Sequence, residues 1–486
     1  MNNYTPNSIN QSQSTLKNCA WVSIGAFFAL LILTLMFFKE KLLFADTAFA
    51  AFELLNSDKL LLIGQRFGAV ISKLLPYLFH HLNMPATSIL GSFLLSFNLF
   101  YLLIVGILFF GYKQYKLVTL MGISYTLMVS ASFFLPADLN LATGYMFLLL
   151  GTTLFLGNKK ASTVITIPVF AILSYLTLTT HFIIIIPLVY LWIYLILDKE
   201  LWPYTRRMTI ILSCIIVATI LGQLVNTTSE KSYDSQHLYG ITHFSIKDIL
   251  LTFNRPVVWI FLYRCITNYW AGLLVFTFGL IHLFRLKDKK HAWWTIISAL
   301  GYLIIMGLSY GDLDETTELF HIELEWMSLG IIIATPFVFS FLCNLKNTSA
   351  VALLTIIIMV RLVYICSWYP TFHYRVEFEQ NILVQMKKKS ITKLAMYEQL
   401  AIDRKYIQTW AMPYESLLLC IMNKENTQMT FTFFNSDRKE MIAGFNDAKG
   451  FYNSFNIIPA AQANQKYFHI DATKPYQIMS YEDLMR

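Results

Sequence analysis

The chain has 486 residues, of which 56% are hydrophobic and only 14% are charged. This composition excludes an ordinary soluble domain and indicates a polytopic membrane protein. The formal net charge of +8 gives no reason to expect nucleic-acid binding, because in a membrane protein the position of the charges matters more than their sum.

Hydrophobic runs of spanning length recur along most of the chain. Only helices satisfy their own backbone hydrogen bonds in lipid, so the sequence predicts an all-α polytopic membrane protein with about 11 transmembrane helices. A polar N-terminus of residues 1–17 precedes the transmembrane module of residues 18–367. The predicted spans are 18–38, 88–111, 117–135, 139–157, 161–180, 182–197, 208–226, 268–286, 292–310, 326–343 and 349–367.

Among the short loops between predicted spans, lysine and arginine occur only in alternate ones. The short loops after the third, fifth and ninth predicted spans contain neither residue, whereas every loop after an even-numbered span is basic. By the positive-inside rule the N-terminus is cytoplasmic and the C-terminus is outside. The basic residues are Lys113, Lys116, Lys159, Lys160, Lys199, Arg206, Arg207, Arg285, Lys287, Lys289, Lys290 and Lys346.

The first outer loop, residues 39–87, combines one acid in apolar surroundings with an amphipathic stretch of the kind that lies in the membrane interface. Asp46 is a candidate base, or metal ligand, for activating an acceptor hydroxyl. Arg66 and Lys73 are two helical turns apart and are candidates for holding a phosphate. The structural alternatives are an interfacial acid or helix N-cap for Asp46 and snorkelling for the two cations.

Further polar candidates occur at the same predicted side of the membrane. Asp138 is the only charge in its loop and is either the N-cap of the next helix or a second acid that faces Asp46. Tyr175 and His181 are candidates for lining the same cavity. The second outer loop, residues 227–267, contains another expected interfacial helix, which carries Arg255 and Arg264 as additional candidates for phosphate binding.

The loop between the ninth and tenth spans is acidic. Glu318, His321 and Glu325 are spaced three and four residues apart, so they share one helical face near the bilayer. This face is a candidate for binding a divalent metal ion or sugar hydroxyls, and a structural salt-bridge cluster with Arg255 or Arg264 is the alternative. We expect a mainly structural role for these three residues.

The tail, residues 368–486, has an ordinary soluble composition and is long enough for one small domain. Residues 375–408 have a helical pattern, whereas 427–435 and 466–472 resemble strands. The sequence therefore predicts a small extracytoplasmic C-terminal domain of the α+β class.

This layout resembles the GT-C superfamily of integral-membrane glycosyltransferases. Members have a cytoplasmic N-terminus, a long first outer loop with an acid just after the first span, and a second long outer loop after the seventh span. Phe44-Ala45-Asp46 fits the acid, although Thr47 follows where the usual pattern has a second acid, and the segment 65–78 resembles first-loop sequences of bacterial members. The resemblance covers essentially the whole chain and implies a GT-C-like fold.

The resemblance implies an enzyme of the bacterial inner (plasma) membrane that transfers a sugar from a polyprenyl-phosphate donor to an extracytoplasmic lipid, glycan or protein. No nucleotide would be needed, and its partners would be the lipid-linked sugar and membrane lipids. A lipid or polysaccharide flippase or transporter is one alternative, and a non-catalytic membrane protein of an envelope complex is another. The long interfacial loops, the expected lack of buried charges within the spans and the lack of an inverted repeat argue against transport.

Overall fold

The long apolar runs of the sequence fold as helices in the protein, which is described here by a computed structural model. The structure describes residues 6–57, 60, 66–229, 244–309, 323, 326–403, 408–425, 427–435, 442, 444–452 and 457–486. The helices of the first half are α1 (Pro6–Met36), α2 (Phe38–Leu42), α3 (Ala45–Asn56), α4 (Val70–His81), α5 (Ala86–Gly106), α6 (Tyr115–Met128), α7 (Asp138–Asn158), α8 (Thr163–Thr180), α9 (Ile185–Leu197) and α10 (Arg206–Ser229).

The helices continue into the second half, where short strands join them. The helices there are α11 (Ile246–Thr252), α12 (Pro256–Thr267), α13 (Trp270–Arg285), α14 (Lys289–Ser309), α15 (Leu329–Pro336), α16 (Asn347–Ser367), α17 (Tyr369–Lys388), α18 (Gln399–Asp403), α19 (Met412–Met422) and α20 (Tyr481–Met485). The strands are β1 (Lys393–Tyr397), β2 (Thr430–Phe434), β3 (Gly450–Tyr452), β4 (Ile457–Pro459) and β5 (Gln477–Ile478).

Within the described residues, eight helical stretches are long and apolar enough to cross a membrane. They are Gln13–Met36, Ala86–Gly111, Asp138–Asn158, Thr163–Thr180, Arg206–Asn226, Ile246–Thr267, Lys289–Ser309 and Asn347–Lys388. Three shorter apolar stretches also occur, at Phe182–Leu197, Trp270–Arg285 and Leu329–Asn344. The protein is therefore a polytopic helical membrane protein, as the composition predicts.

Two predicted segments differ from the structure in detail. The span expected at 117–135 forms a helix only as far as Met128 and ends in the short 3₁₀ turn Ala131–Phe134. The second outer loop contains Ile246–Thr267, which passes the length test but is divided between Thr252 and Pro256 into helices of 7 and 12 residues. A 12-residue helix is about 18 Å long, shorter than the hydrocarbon core of a bilayer.

The C-terminal region is a small α/β unit. Strand β1 lies between β2 and β5 and is parallel to both, with Leu394 opposite Phe431 on one side and Gln477 on the other. Strands β3 and β4 form a separate antiparallel pair. Strand β1 interrupts the helix predicted over 375–408, and of the strand predicted at 466–472 only an isolated bridge at Ile470 forms. The strand predicted at 427–435 is present as β2.

Helix α3 connects the C-terminal region to the membrane helices. The Phe52 ring packs on Phe468 at 4.6 Å, on Tyr414 at 5.0 Å and on Phe451 at 5.6 Å between ring centroids. These contacts belong to one continuous apolar core that also includes Leu30 of α1 and Leu94 of α5. The first outer loop is therefore packed directly between the helical bundle and the C-terminal region.

The orientation predicted from the basic loops can be tested with reporter fusions. A C-terminal alkaline phosphatase fusion should be active, because that enzyme folds only outside the cytoplasm, and a fusion at Asn158, where α7 ends, should be inactive. The measurement is the phosphatase activity of whole cells, normalised to fusion protein level. Activity at Asn158 with none at the C-terminus would reverse the orientation and place Asp46 in the cytoplasm.

Candidate functional site

Asp46 lies in the first turn of α3, immediately after the turn that follows α2. Phe44 is extended and buried, Ala45 is buried, and the Asp46 side chain is exposed. The first turn of a helix favours a carboxylate because unpaired backbone N–H groups point outward there. Asp46 is therefore a solvent-accessible acid held at the start of a helix whose other face is packed.

Arg66 and Asp138 form an ion pair, although 72 residues separate them in the chain. Arg66 Nη1 donates to Asp138 Oδ2 at 3.1 Å, and the two side chains are 25% and 24% exposed. Arg66 precedes the 3₁₀ turn Phe67–Ala69, and Asp138 is the first residue of α7. Asp138 therefore begins its helix, with Ala137 as the N-cap, and its carboxylate is paired with one of the predicted phosphate-binding residues.

Gly68 fixes where Arg66 can lie. Tyr145 on α7 donates a hydrogen bond to the Gly68 carbonyl at 3.3 Å. A Cβ atom at Gly68 would overlap the Thr180 hydroxyl and would lie 3.0 Å from the Leu176 carbonyl oxygen. Only glycine permits this close approach of the first outer loop to α8.

The Asp46, Arg66, Lys73 and Asp138 side chains form one electrostatic group, which we name the Asp46 cluster. Dense surrounding protein raises the pKa of the Asp46 carboxyl, the Arg66 charge opposes this change, and the Asp138 charge adds to it. Burial also lowers the pKa of the Lys73 amine, which Asp138 raises and Arg66 lowers. The fold thus brings Asp46, Arg66 and Lys73, which follow the first predicted span, together with Asp138, which follows the third.

Of the two further residues predicted to line a cavity here, Tyr175 contacts the first outer loop. Its ring contacts Phe67, the neighbour of Arg66, with 5.9 Å between ring centroids. His181 instead ends α8, where its Nδ1 accepts a hydrogen bond from the Ile183 amide at 3.4 Å and its ring stacks on Phe182. The geometry gives His181 a local structural role in the turn between α8 and α9.

The two arginines of the second outer loop are placed elsewhere. Arg255 is the N-cap residue of α12, and its charge acts on Asp248 of the neighbouring helix α11. Arg264 lies in the last turn of α12, and its carbonyl accepts hydrogen bonds from the Asn268 and Tyr269 amides. The charges that act on Asp46 are those of Arg66 and Asp138.

Glu318, His321 and Glu325 lie outside the described residues, so their predicted common face is not seen. Their neighbour Glu323 is described and buried. Its carboxylate accepts hydrogen bonds from the Ser130 amide at 3.0 Å, the Ser132 amide at 2.7 Å and the Tyr269 hydroxyl at 2.7 Å, and also from the Ser130 hydroxyl. Glu323 therefore ties the acidic loop to the segment between α6 and α7.

The expectation that the spans hold no buried charge is wrong. Arg361 lies in the middle of α16 and is 0% exposed. Its guanidinium donates to the Thr126 and Val129 carbonyls at 3.1 Å each and to the Asn268 carbonyl. These acceptors are carbonyls at the C-terminal ends of α6 and α12, so Arg361 caps two helix ends.

Sequence reasoning also missed two buried groups beside Asp46. Lys41 donates to the Thr34 hydroxyl at 3.2 Å and lies 3.7 Å above the Phe133 ring centroid, and burial lowers its pKa to about 7. Glu415 in α19 accepts a hydrogen bond from the Ala45 amide at 2.9 Å. Lysine and glutamate in ordinary amphipathic contexts gave no signal of either role, because only the three-dimensional packing removes them from water.

The described residues do not fit a divalent metal centre. Among them, no group of three or more histidine, cysteine, aspartate or glutamate side chains is arranged to hold a metal ion. At the Asp46 cluster, Asp138 already binds a guanidinium, and the cluster's two cations would repel a metal ion.

Comparisons with protein-family models, with curated proteins and with solved structures find no match to this chain. The function of the chain must therefore be inferred from the geometry and chemistry of the site itself.

The raised pKa of Asp46 predicts how stability depends on pH. Since the folded protein disfavours the ionised carboxylate, the contribution of Asp46 to stability is greatest at low pH and is lost as pH rises through its folded pKa. Asp46→Asn mimics the protonated acid at every pH. It should match the parent in acid and unfold at a higher temperature near pH 7.

The measurement is the unfolding temperature of the purified parent and of Asp46→Asn, followed by tryptophan fluorescence. It is made between pH 5 and 8 in steps of about one pH unit. The control is Glu377→Gln on α17, which removes an exposed acid and should show no such dependence. An Asp46→Asn protein that is less stable than the parent at pH 7 would mean that the ionised carboxylate is a net stabilising group.

Proposed function

We propose that this protein is a membrane glycosyltransferase of the GT-C type, which transfers a sugar from a polyprenyl-phosphate donor to an extracytoplasmic acceptor with inversion at the anomeric carbon. The proposal includes about 11 spans, a cytoplasmic N-terminus, an extracytoplasmic C-terminal domain and location in a bacterial inner membrane. The alternation of basic and uncharged loops supports this topology.

The observation that carries the proposal is the Asp46 cluster. An accessible acid with a raised pKa lies within the electrostatic reach of Arg66, and Arg66 is oriented by Asp138. An acid whose pKa is raised towards the working pH is suited to accept a proton, whereas a guanidinium is suited to bind phosphate oxygens. Both groups lie on the loop that directly follows the first membrane helix, where a lipid-linked phosphate would lie at headgroup depth.

The chemistry assigned to these groups is a single displacement. Asp46 accepts the proton of the acceptor hydroxyl while the hydroxyl oxygen forms a bond to the anomeric carbon of the donor sugar. The bond between that carbon and the phosphate oxygen breaks, and the electron pair leaves with the polyprenyl phosphate. Arg66 and Lys73 stabilise the charge that develops on the phosphate, and the Asp138 carboxylate holds Arg66 in place until the phosphate competes for it.

The amphipathic helix α4 supports a lipid-linked donor over a soluble one. Lys73 lies on this helix, and its exposed residues Leu74 and Leu78, followed by Leu82, recur every four positions as one apolar stripe. Such a stripe lies in the membrane interface, which places the cationic residues of the same loop near lipid headgroups.

Asp46→Asn tests the base. The substitution keeps size and polarity but removes the proton acceptor, so turnover should fall by about 10²–10⁴-fold while donor binding is retained. The assay uses the full-length protein in proteoliposomes with radiolabelled undecaprenyl-phosphate hexoses and an envelope extract as acceptor. Glu377→Gln is the matched control and should transfer label like the parent.

Arg66 is tested by binding. Arg66→Ala should weaken the binding of undecaprenyl phosphate by roughly 10- to 100-fold, the range expected when a hydrogen bond to a charged group is lost. Arg66→Lys should restore binding only partly, because an ammonium lacks the planar fork of a guanidinium. The control is Arg285→Ala, an exposed arginine at the C-terminal end of α13. Thermophoresis of the labelled protein provides the affinities.

The outcomes separate the proposal from its alternatives. Near-normal transfer by Asp46→Asn would remove Asp46 from the mechanism and leave Asp138 as the next acid to test. Movement of a fluorescent polyprenyl-phosphate lipid between leaflets, without transfer of label to any acceptor, would instead identify a flippase. Absence of both activities, with copurification of envelope proteins, would favour the role in an envelope complex.

A further inference from the structure

The backbone turn that presents Asp46 is in an unfavourable conformation. Ala45 has φ of 45°, in the left-handed region that residues with a Cβ atom rarely adopt. A residue persists in such a conformation only when the surrounding structure fixes it. The turn before Asp46 must therefore be held from outside the local sequence.

The contact that holds this turn comes from the C-terminal region. The Ala45 amide donates to Glu415 Oε1 at 2.9 Å, across 370 positions of sequence. Glu415 is 0% exposed, and its carboxylate is itself fixed by Arg375 of α17. Arg375 Nε donates to Oε2 and Nη2 donates to Oε1, both at 2.9 Å. The acceptor for the Ala45 amide is thus locked in position.

The residues before Ala45 contact the same helix, α17. The Phe44 ring lies 5.3 Å from the Arg375 guanidinium and packs edge-on against Phe372 at 4.9 Å. One turn earlier, Glu40 pairs with His373 at 2.8 Å. The whole connection from α2 to Asp46 is therefore attached to one face of α17 and to the start of α19.

A role in stability alone is a poor explanation for these charges. Glu379, also 0% exposed, lies 3.4 Å from Arg375, so one guanidinium faces two buried carboxyl groups. Removing such groups from water costs much of what their attraction returns, and apolar side chains of similar volume often stabilise a core equally well. What apolar side chains cannot supply is an acceptor for the Ala45 amide.

We infer that Glu415 is a positioning residue for Asp46. Its carboxylate holds the Ala45 amide, which maintains the left-handed turn and thereby aims the Asp46 carboxylate towards Arg66 and the reacting hydroxyl. This inference rests on the proposed function for the role of Asp46 as base. It assigns to the C-terminal region a part in building the site.

Glu415→Ala tests the inference in the full-length protein. Loss of the contact should lower kcat by about 10- to 100-fold, the cost of misplacing a reacting group by roughly 1 Å. The KM for the undecaprenyl-phosphate hexose should stay near that of the parent, because Arg66 and Lys73 are held by other contacts. If Glu415→Ala does not fold, Glu415→Asp carries the same measurement, since its shorter side chain cannot reach both partners.

The matched control is Glu379→Gln. Its amide can still donate to Glu415, as the Glu379 carboxyl does, and the Glu415 carboxylate that accepts from the Ala45 amide is kept, so its kcat should be that of the parent even if its unfolding temperature changes. Equal losses of kcat in Glu415→Ala and Glu379→Gln would show a general structural role and would overturn the inference.

Hydrogen exchange of the peptide covering residues 43–52 gives a second measurement that needs no enzyme activity. Exchange of the Ala45 amide should be about tenfold faster in Glu415→Ala and unchanged in Glu379→Gln. Unchanged exchange in Glu415→Ala would overturn the inference whatever the turnover. If the parent transfers no sugar, the proposed function fails, and the exchange result still decides whether Glu415 holds this turn.

Discussion

A buried charge must keep nearly all of its hydrogen bonds, and the rest of this structure depends on how that requirement is met. Arg361, Glu323 and Glu415 are each buried, and each satisfies its charge with backbone groups at the ends of helices that are distant in sequence. Arg361 joins the C-terminal end of α6 to that of α12, Glu323 joins the acidic loop to the segment after α6, and Glu415 joins the C-terminal region to α3. In lipid, where apolar contacts between helices give no solvent-driven gain, such polar contacts determine which helix ends meet.

This constraint explains how the first outer loop is built. Its amphipathic part lies against the bundle through the close approach at Gly68, while its acidic start is held by α17 and α19. The two halves meet at the Asp46 cluster, where the paired charges of Arg66 and Asp138 are partly exposed. The buried charges of Arg361, Glu323 and Glu415 thus hold the structure together, whereas the partly exposed charges of the Asp46 cluster are the candidates for chemistry. The same distinction separates Arg361, which is fully buried and donates to carbonyls, from Arg66, which is paired with Asp138 and 25% exposed.

Much of the architecture is predictable from the sequence because bilayer thickness and backbone hydrogen bonding leave few alternatives. Most apolar runs of spanning length form helices, although the run at 117–135 is helical only as far as Met128. The candidates Asp46, Arg66, Lys73 and Asp138 come together as one cluster. The exact number of spans is not fixed by the structure, because three apolar helical stretches are shorter than a full crossing. The pairing of Arg361 and the contact between Glu415 and Ala45 were beyond sequence reasoning, since periodicity indicates which residues leave water but not which partners they find. The prediction of a helix at β1 was wrong for a similar reason. The residues of β1 are compatible with a helix, but they form a strand because β2 and β5 pair with it on both sides.

The contact between the Ala45 amide and Glu415 has a consequence for biosynthesis. Ala45 emerges from the ribosome 370 residues before its acceptor. At usual rates of translation this interval is roughly 20 to 70 seconds. During that time helix α1 is already in the bilayer, yet the turn before Asp46 lacks the group that maintains it. A nascent or truncated chain would therefore hold Asp46 in an unformed turn beside its own membrane. The turn before Asp46 is therefore completed by a residue made 370 positions later, so it can form only after Glu415 has been synthesised and folded.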